Sequence, residues 1–198
     1  MDLFGQVLQD QLHSAGINSA FILETTTFNK LLTTYRYDAM TYLEEQSASH
    51  IRKLGEALTS GIYTKIAMSI SVQVEDGQTT LPTDSEPGNH WVMAILDVEA
   101  LSISYGDSYK LPPPTELHDM LQWWSSHHRV ETFQWMDLPS SLQSDNFSCP
   151  ILSANSMAHA LLPTMFPLIP KYGCISACVN MLILIVDYLK QTSLVCDE

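Results

Sequence analysis

Basic residues are scarce in this chain of 198 residues. Nine Lys and Arg stand against 22 Asp and Glu, so the formal net charge at pH 7 is −13. A charge of this sign opposes contact with a phosphate backbone, and we expect no nucleic-acid partner. Charged residues of both signs make up only 16% of the chain and hydrophobic residues 45%. This composition disfavours disorder, and the length fits a single domain over residues 1–198.

The N-terminus has neither the basic segment nor the long apolar segment of a secretory signal peptide. The stretch that most resembles a membrane span, residues 172–186, contains 15 uncharged residues, fewer than the roughly 20 that a membrane-spanning helix needs. We therefore expect an intracellular protein, nuclear or cytoplasmic, with no membrane partner. The uncharged stretch is expected to belong to a buried helix over 173–190.

Cysteine is absent from the first three quarters of the chain. The four cysteines are Cys149, Cys174, Cys178 and Cys196, so disulfides could not connect the rest of the fold, and free thiols are expected. Cys174 and Cys178 share one helical face, but no further ligands follow at zinc spacing. Core packing is the expected role of this pair, and neither a metal nor another cofactor is implied.

Hydrophobic periodicity predicts a chain with both helices and strands. Helices are predicted over 2–12, 30–58, 116–126, from 150 to just before Pro163, and over 173–190. Strands are predicted over 20–28, 62–74, 91–96, 101–105 and 131–136, with exposed polar loops over 76–89 and 139–148.

The hairpin made by the third and fourth predicted strands brings two polar residues together. A turn centred between Val98 and Glu99 places His90 opposite Asp107, on the same face of the sheet. Directly opposed Cβ atoms lie about 4.5 to 5.5 Å apart, close enough for a carboxylate to hold an imidazole by one ring nitrogen. A slip of one residue would move Asp107 to the other face.

A candidate nucleophile, Cys149, directly precedes Pro150, a residue favoured at the first position of a helix. A thiol at a helix N-terminus is favoured as thiolate, and a neighbouring imidazolium favours the thiolate further. Six residues upstream, Gln143 offers a carboxamide N–H to the oxyanion that forms when a thiolate attacks a carbonyl.

In this order, His90, Asp107, Gln143 and Cys149 resemble the signature of the ubiquitin-like-protein-specific (SUMO-deconjugating) cysteine proteases. The family's step of 17 residues from His to Asp and its step of 6 from Gln to Cys both match, as does the His90-Trp91 pair. Residues 147–155 are also similar to a Ser-Cys-Gly variant common in divergent fungal members, many of them associated with mobile elements.

The resemblance implies an α+β, papain-like fold with a small mixed β-sheet flanked by helices. It implies a peptidase or isopeptidase that cleaves after the C-terminal Gly-Gly of a ubiquitin-like protein of SUMO type. Cys149 would be the nucleophile, His90 the general base and then acid, Asp107 the orienting carboxylate and Gln143 an oxyanion donor. Trp91 would cover the Gly-Gly tail.

The chain departs from the family pattern at three places. Pro150 follows the candidate nucleophile where the family has Gly, and Ser148 precedes it where the family has Asp. The sequence begins at or just past the family's N-terminal Trp motif, so we expect the extreme N-terminal segment to be missing. Two alternatives stay open: a catalytically inactive remnant that binds a ubiquitin-like protein, and an acyl-transfer enzyme that uses the same triad on unrelated substrates.

Overall fold

The computed structural model describes residues 1–83, 86–128, 132–170 and 172–195, with the side chains of the last helix described to residue 192. Its helices are α1 (Asp2–Ser14), α2 (Thr25–Tyr37), α3 (Ser49–Thr59), α4 (Thr115–Ser126), α5 (Cys149–Leu161) and α6 (Cys174–Val195). Its strands are β1 (Ala20–Leu23), β2 (Lys65–Glu75), β3 (Gln78–Thr80), β4 (His90–Asp97), β5 (Ser102–Gly106) and β6 (Gln134–Asp137). Cys196 and the predicted strand start at residue 131 lie outside the described residues, as do residues 84–85 of the predicted loop over 76–89.

One mixed sheet forms the centre of the fold. Its strand order is β1-β2-β4-β5-β6, and β3 pairs with β2. The β1–β2 and β5–β6 pairs are parallel, and the pairs between them are antiparallel. Parallel neighbours need long crossover connections, which contain α2 and α3 in the first case and α4 in the second. The predicted α+β architecture, a mixed sheet flanked by helices, is confirmed.

Alternate side chains of the central strands enter two separate hydrophobic clusters. Ile66 and Met68 of β2 pack in the cluster that contains α2, α3 and α4. Ala67, between them, packs in the cluster that contains α1 and α5. Because successive side chains of a strand point to opposite faces, helices cover both faces of the sheet. This arrangement explains why residues 91–96 form a continuous apolar run.

The first predicted strand is wrong beyond Leu23, because helix α2 begins at Thr25. Asp2 of α1 accepts hydrogen bonds from the Thr25 N–H at 2.8 Å and from its hydroxyl at 2.7 Å. The carboxylate thus satisfies a backbone donor that has no partner within the helix. The cap comes from another helix, and the local sequence around Thr25 contains no sign of it.

The predicted helix over 30–58 is two helices, α2 and α3. Between them lie two short 3-10 turns, Ala39–Thr41 and Gln46–Ala48. The Arg52 guanidinium donates to the carbonyls of Tyr42 and Glu45 at 2.7 and 2.6 Å. These bonds satisfy carbonyls that a continuous helix would have paired internally, and so stabilise the interruption.

A hairpin lies at the start of the predicted loop over 76–89. Glu75 pairs with Gln78, and the two residues between them, Asp76 and Gly77, have φ values of 49° and 76°. Positive φ at both central residues is characteristic of a type I′ turn, for which Asp-Gly is a preferred sequence. Strand β3 was not predicted, although the Asp76-Gly77 pair indicates its turn.

The prediction of a buried last helix is wrong, because α6 is exposed over much of its surface. Ile175 is 80% exposed and Leu182 61%, and only one side of the helix packs on the protein, through Met181 and Ile185. Cys178 is exposed and Cys174 half-buried, so core packing is also wrong for Cys178. In the described part of the chain, α6 alone has the length and composition to cross a membrane, over the 19 residues Cys174–Thr192.

Candidate active site

The predicted histidine and aspartate meet inside the protein. His90 Nε2 donates to Asp107 Oδ1 at 2.6 Å, and the two residues are only 2% and 3% exposed. The backbone N–H groups of Tyr109 and Leu111 donate to the same carboxylate at 3.0 and 2.9 Å. Three donors hold the carboxylate in one orientation, and Asp107 in turn fixes the imidazole ring.

The predicted direct opposition of His90 and Asp107 is wrong by two residues. In the observed register Asp97 pairs with Ser102 and Met93 with Gly106, so a four-residue loop joins the strands. Asp97 Oδ1 accepts hydrogen bonds from two N–H groups of that loop. A shift of two residues preserves the face on which a side chain lies. The histidine and aspartate therefore meet diagonally, a geometry that longer side chains can span.

Helix α5 begins at Cys149, one residue before the predicted start at Pro150, and the thiol lies at a helix N-terminus as predicted. The Cys149 side chain lies close enough to the His90 ring to raise the pKa of the imidazole. Because Nε2 is engaged by Asp107, Nδ1 is the nitrogen that faces the sulfur. The thiol is 5% exposed, so sulfur, imidazole and carboxylate form one buried row.

The loop before Cys149 is tied to the carboxylate of Asp145. This group accepts hydrogen bonds from the Ser148 hydroxyl at 2.6 Å and from the N–H groups of Ser148 and Phe147 at 2.7 and 2.9 Å. The hydrogen bond from the Ser148 hydroxyl and those from the backbone lower the pKa of Asp145. Ser148, at the position where the family has Asp, therefore anchors the start of α5.

The electrostatic surroundings of His90 favour its protonated form. Burial alone would lower the pKa of the imidazole, but the hydrogen bond to Asp107 and the interactions with Asp107 and Cys149 outweigh it. Together they raise the pKa of His90 to about 9. At neutral pH the ring is an imidazolium, which can give a proton to a leaving amine.

The carboxamide of Gln143 is hydrogen-bonded at both of its ends, to Ser108 and to Asp145. The Ser108 hydroxyl donates to Gln143 Oε1 at 2.7 Å, and Gln143 Nε2 donates to the carbonyl of Asp145 at 2.7 Å. Since a carbonyl only accepts, the NH2 group must face Asp145, and Nε2 also donates to Asp145 Oδ1 at 3.5 Å. No described residue accepts a hydrogen bond from the Cys149 N–H. This N–H is therefore a second available donor next to the sulfur.

Tyr109 belongs to the site and was not singled out from the sequence. Its ring stacks on His90 with centroids 4.6 Å apart and an interplanar angle of 19°. Its hydroxyl donates to the carbonyl of Asp145 at 2.9 Å. Tyr109 therefore connects the imidazole to the loop before the nucleophile. The available signal was an aromatic residue two positions after the candidate aspartate, a pattern too common to be informative alone.

The remaining predicted site residue, Trp91, is half-buried next to His90 and pairs with Ser71 of β2. Its role over a substrate tail stays a prediction. Among the residues that the structure describes, no cluster of three or more His, Cys, Asp or Glu side chains could hold a metal ion.

Ser108→Ala tests whether the orientation of Gln143 matters. Loss of the hydroxyl frees Oε1, so the carboxamide can rotate away from the oxyanion position. We expect kcat to fall about tenfold with KM little changed, because the interaction operates mainly in the transition state. Ser141→Ala is the matched control, since the Ser141 hydroxyl donates to the carbonyl of Ile169 rather than to Gln143. Equal losses of kcat in both variants would contradict this role.

The fold has known counterparts among solved structures. The SUMO protease Ulp1, with its catalytic cysteine oxidised to a sulfonic acid, superposes with a TM-score of 0.62 over 94% of this chain and 76% of its own, at 14% identity. The fold is that of Ulp1. The C-terminal Ulp1 protease domain in complex with Smt3, the yeast ortholog of SUMO, gives a TM-score of 0.58 over 93% and 75% of the two chains, at 14% identity.

A second Ulp1-like structure supports the same architecture. The Ulp1-like SUMO protease catalytic domain of Chaetomium thermophilum gives a TM-score of 0.61 over 92% of this chain and 67% of its own, at 11% identity. No protein-family model and no curated protein sequence matches the chain. The Ulp1 fold is therefore recognisable here from the backbone, at identities too low for sequence comparison to carry the assignment.

Proposed function

We propose that this chain is a cysteine peptidase or isopeptidase that cleaves after the C-terminal Gly-Gly of a ubiquitin-like protein of SUMO type. The observation that carries the proposal is the buried group of Cys149, His90 and Asp107, in which the ring is hydrogen-bonded to Asp107 and interacts with Cys149. A nucleophile beside a base that a third group orients is the arrangement that covalent acyl transfer requires.

Each residue of the row has a chemical task. The Cys149 sulfur attacks the scissile carbonyl, and the carbonyl oxygen becomes an oxyanion. The carboxamide of Gln143 and the N–H of Cys149 stabilise that charge. His90 then protonates the leaving amine, and the acyl group stays on sulfur as a thioester. Water, deprotonated by His90, hydrolyses the thioester and restores the thiol.

The fold and the rim of the site support a protein substrate. One structure with this fold was solved in complex with a SUMO ortholog. In the present chain, Phe147 and Leu142 lie exposed on the loop that leads to Cys149, where apolar side chains can contact a docked protein. We place the chain in the SUMO protease family, among its divergent fungal, mobile-element-associated members, on the resemblance of residues 147–155.

Pro150 does not favour the alternative of an inactive binding module. As the second residue of α5, it occupies a position where a helix needs no N–H for internal pairing. The donor required for the oxyanion is the N–H of Cys149 itself, which proline at the next position leaves in place.

A SUMO protein with an electrophilic group at its C-terminus tests the proposal. We expect it to form a covalent adduct on Cys149, located by peptide mass spectrometry, and to form none on Cys149→Ala. Cys178→Ala is the matched control and is expected to react normally, because Cys178 is exposed and far along the chain on α6. A parallel ubiquitin probe measures selectivity.

The outcome that overturns the proposed function is specific. It would be the absence of any adduct with SUMO or ubiquitin probes in a preparation that still binds the same proteins non-covalently. That result would identify the inactive binding module instead.

A further inference from the structure

We propose that α6 pairs with α6 of a second copy of this chain through a seam of five residues. The seam consists of Ile175, Val179, Leu182, Val186 and Leu189, all of them exposed. The inference is independent of the proposed function, because it uses no residue of the candidate active site.

The spacing of the seam residues is that of a coiled coil. Successive members are separated by four, three, four and three residues, the alternation that keeps a stripe on one side of two supercoiled helices. The residue types agree with their positions. The two a positions are valines and the last two d positions are leucines, a combination that favours two parallel strands over higher oligomers.

The opposite side of α6 is already occupied by the protein itself. Met181 and Ile185 pack on the hydrophobic cluster of α1 and α5. The helix is therefore held on the domain with its seam directed outward, and pairing requires no displacement of α6.

The exposed apolar area of the seam is large enough for a contact with a second copy of the chain. The seam and the adjacent Ile183 expose on the order of 500 Å² of apolar surface per copy, near the upper end for the largest patch on a monomer. Two copies joined by a two-fold axis would bury on the order of 1,000 Å² in total, the lower limit of a specific interface. A symmetric contact needs only one such patch on each copy.

A bilayer is a poorer occupant of the same surface. A single membrane-spanning helix is surrounded by lipid on all sides, but the Met181 side of α6 is packed on the domain. Asn180 and Asp187 would also have to enter the hydrocarbon region, where polar and charged side chains are unfavourable.

Light scattering coupled to size-exclusion chromatography tests the proposal under reducing conditions, which prevent disulfides through Cys178. We expect the full chain to elute at twice its mass of 22.2 kDa, and Leu182→Glu to elute as a monomer. Gln191→Glu, exposed on α6 but outside the seam, should remain a dimer. Added salt should strengthen the dimer, because each copy carries a formal charge of −13 and screening reduces the repulsion.

A cysteine pair keeps the test decisive if Leu182→Glu fails to fold. In a Cys178→Ser background, Val186→Cys is expected to form a disulfide-linked dimer on mild oxidation, whereas Gln191→Cys is not. A full chain that stays monomeric at 100 μM, or one that floats with neutral phosphatidylcholine vesicles as a monomer, would overturn the proposal.

Discussion

Asp107→Asn is expected to lower kcat for Gly-Gly cleavage by about a thousand-fold, equivalent to about 4 kcal/mol of transition-state stabilisation. The amide has one oxygen where the carboxylate has two. If its NH2 faces Leu111, one buried N–H loses its acceptor; if it faces His90, both the ring and the Tyr109 N–H lose theirs. The first orientation costs less free energy, because only one donor loses its acceptor. The ring thus keeps its tautomer, and the loss of the negative charge is what reduces the rate.

The pH profile separates this electrostatic role from a structural one. His90 has a pKa of about 9 in the folded protein, above its ordinary value of 6.5. The alkaline limb of kcat/KM, which reports the free enzyme, should therefore lie near pH 9 in the native chain and at lower pH in Asp107→Asn. Asp97→Asn is the control, because Asp97 lies at the other end of β4 and pairs with Lys65. An unshifted alkaline limb in Asp107→Asn would contradict the assigned role.

Protonation of His90 also makes the free energy of unfolding depend on pH. A folded-state pKa above the unfolded value means that the contribution of the His90–Asp107 pair is fully present below pH 6.5. It is lost as the pH rises through about 9. The urea midpoint of the native chain should fall across that interval, and the fall should be smaller in Asp107→Asn.

Gly55→Ala is expected to lower the free energy of unfolding by about 2 kcal/mol, although alanine is the better helix former. A Cβ at this position of α3 would overlap the ring of His128. That ring cannot easily retreat, because its Nε2 accepts a hydrogen bond from the Tyr42 hydroxyl at 2.9 Å, and Trp124 Nε1 donates to the same hydroxyl at 3.1 Å. Burial lowers the pKa of His128, in keeping with a neutral ring.

Urea unfolding measures the loss, and two further variants assign it. Gly5→Ala, also within a helix, is expected to be nearly neutral, because its added Cβ would meet only Ile22 at 3.1 Å. In Gly55→Ala/His128→Ala the overlap is absent, so the double variant should be more stable than the sum of the two single changes. Strict additivity would show that the ring is not the obstacle.

The sequence contains enough information for the parts of the site that depend on local rules. Strand alternation places His90 and Asp107 on one face whenever the hairpin loop has an even number of residues. Pro150 indicates a helix start directly after Cys149, which agrees within one residue with the observed start. Neither inference needs the tertiary structure, and both predicted positions agree with the observed geometry.

The parts that sequence could not provide depend on contacts between distant residues. Asp2 determines where α2 begins, and the Ser108 hydroxyl orients Gln143. The exposed seam of α6 was interpreted as core because an apolar helix has the same composition in either setting. The Asp76-Gly77 turn is different: its signal is local, and the exposed-loop prediction overlooked it.

The chain order of the three central residues has a consequence for how the site assembles. The β4–β5 hairpin closes through four residues, a short loop with a small entropic cost. Cys149 reaches the same place only after the β5–α4–β6 crossover has formed, and such long-range parallel pairings are slow to form. We therefore expect a nascent or refolding molecule to form its imidazole–carboxylate pair first, and its sulfur to join that pair when the sheet is complete.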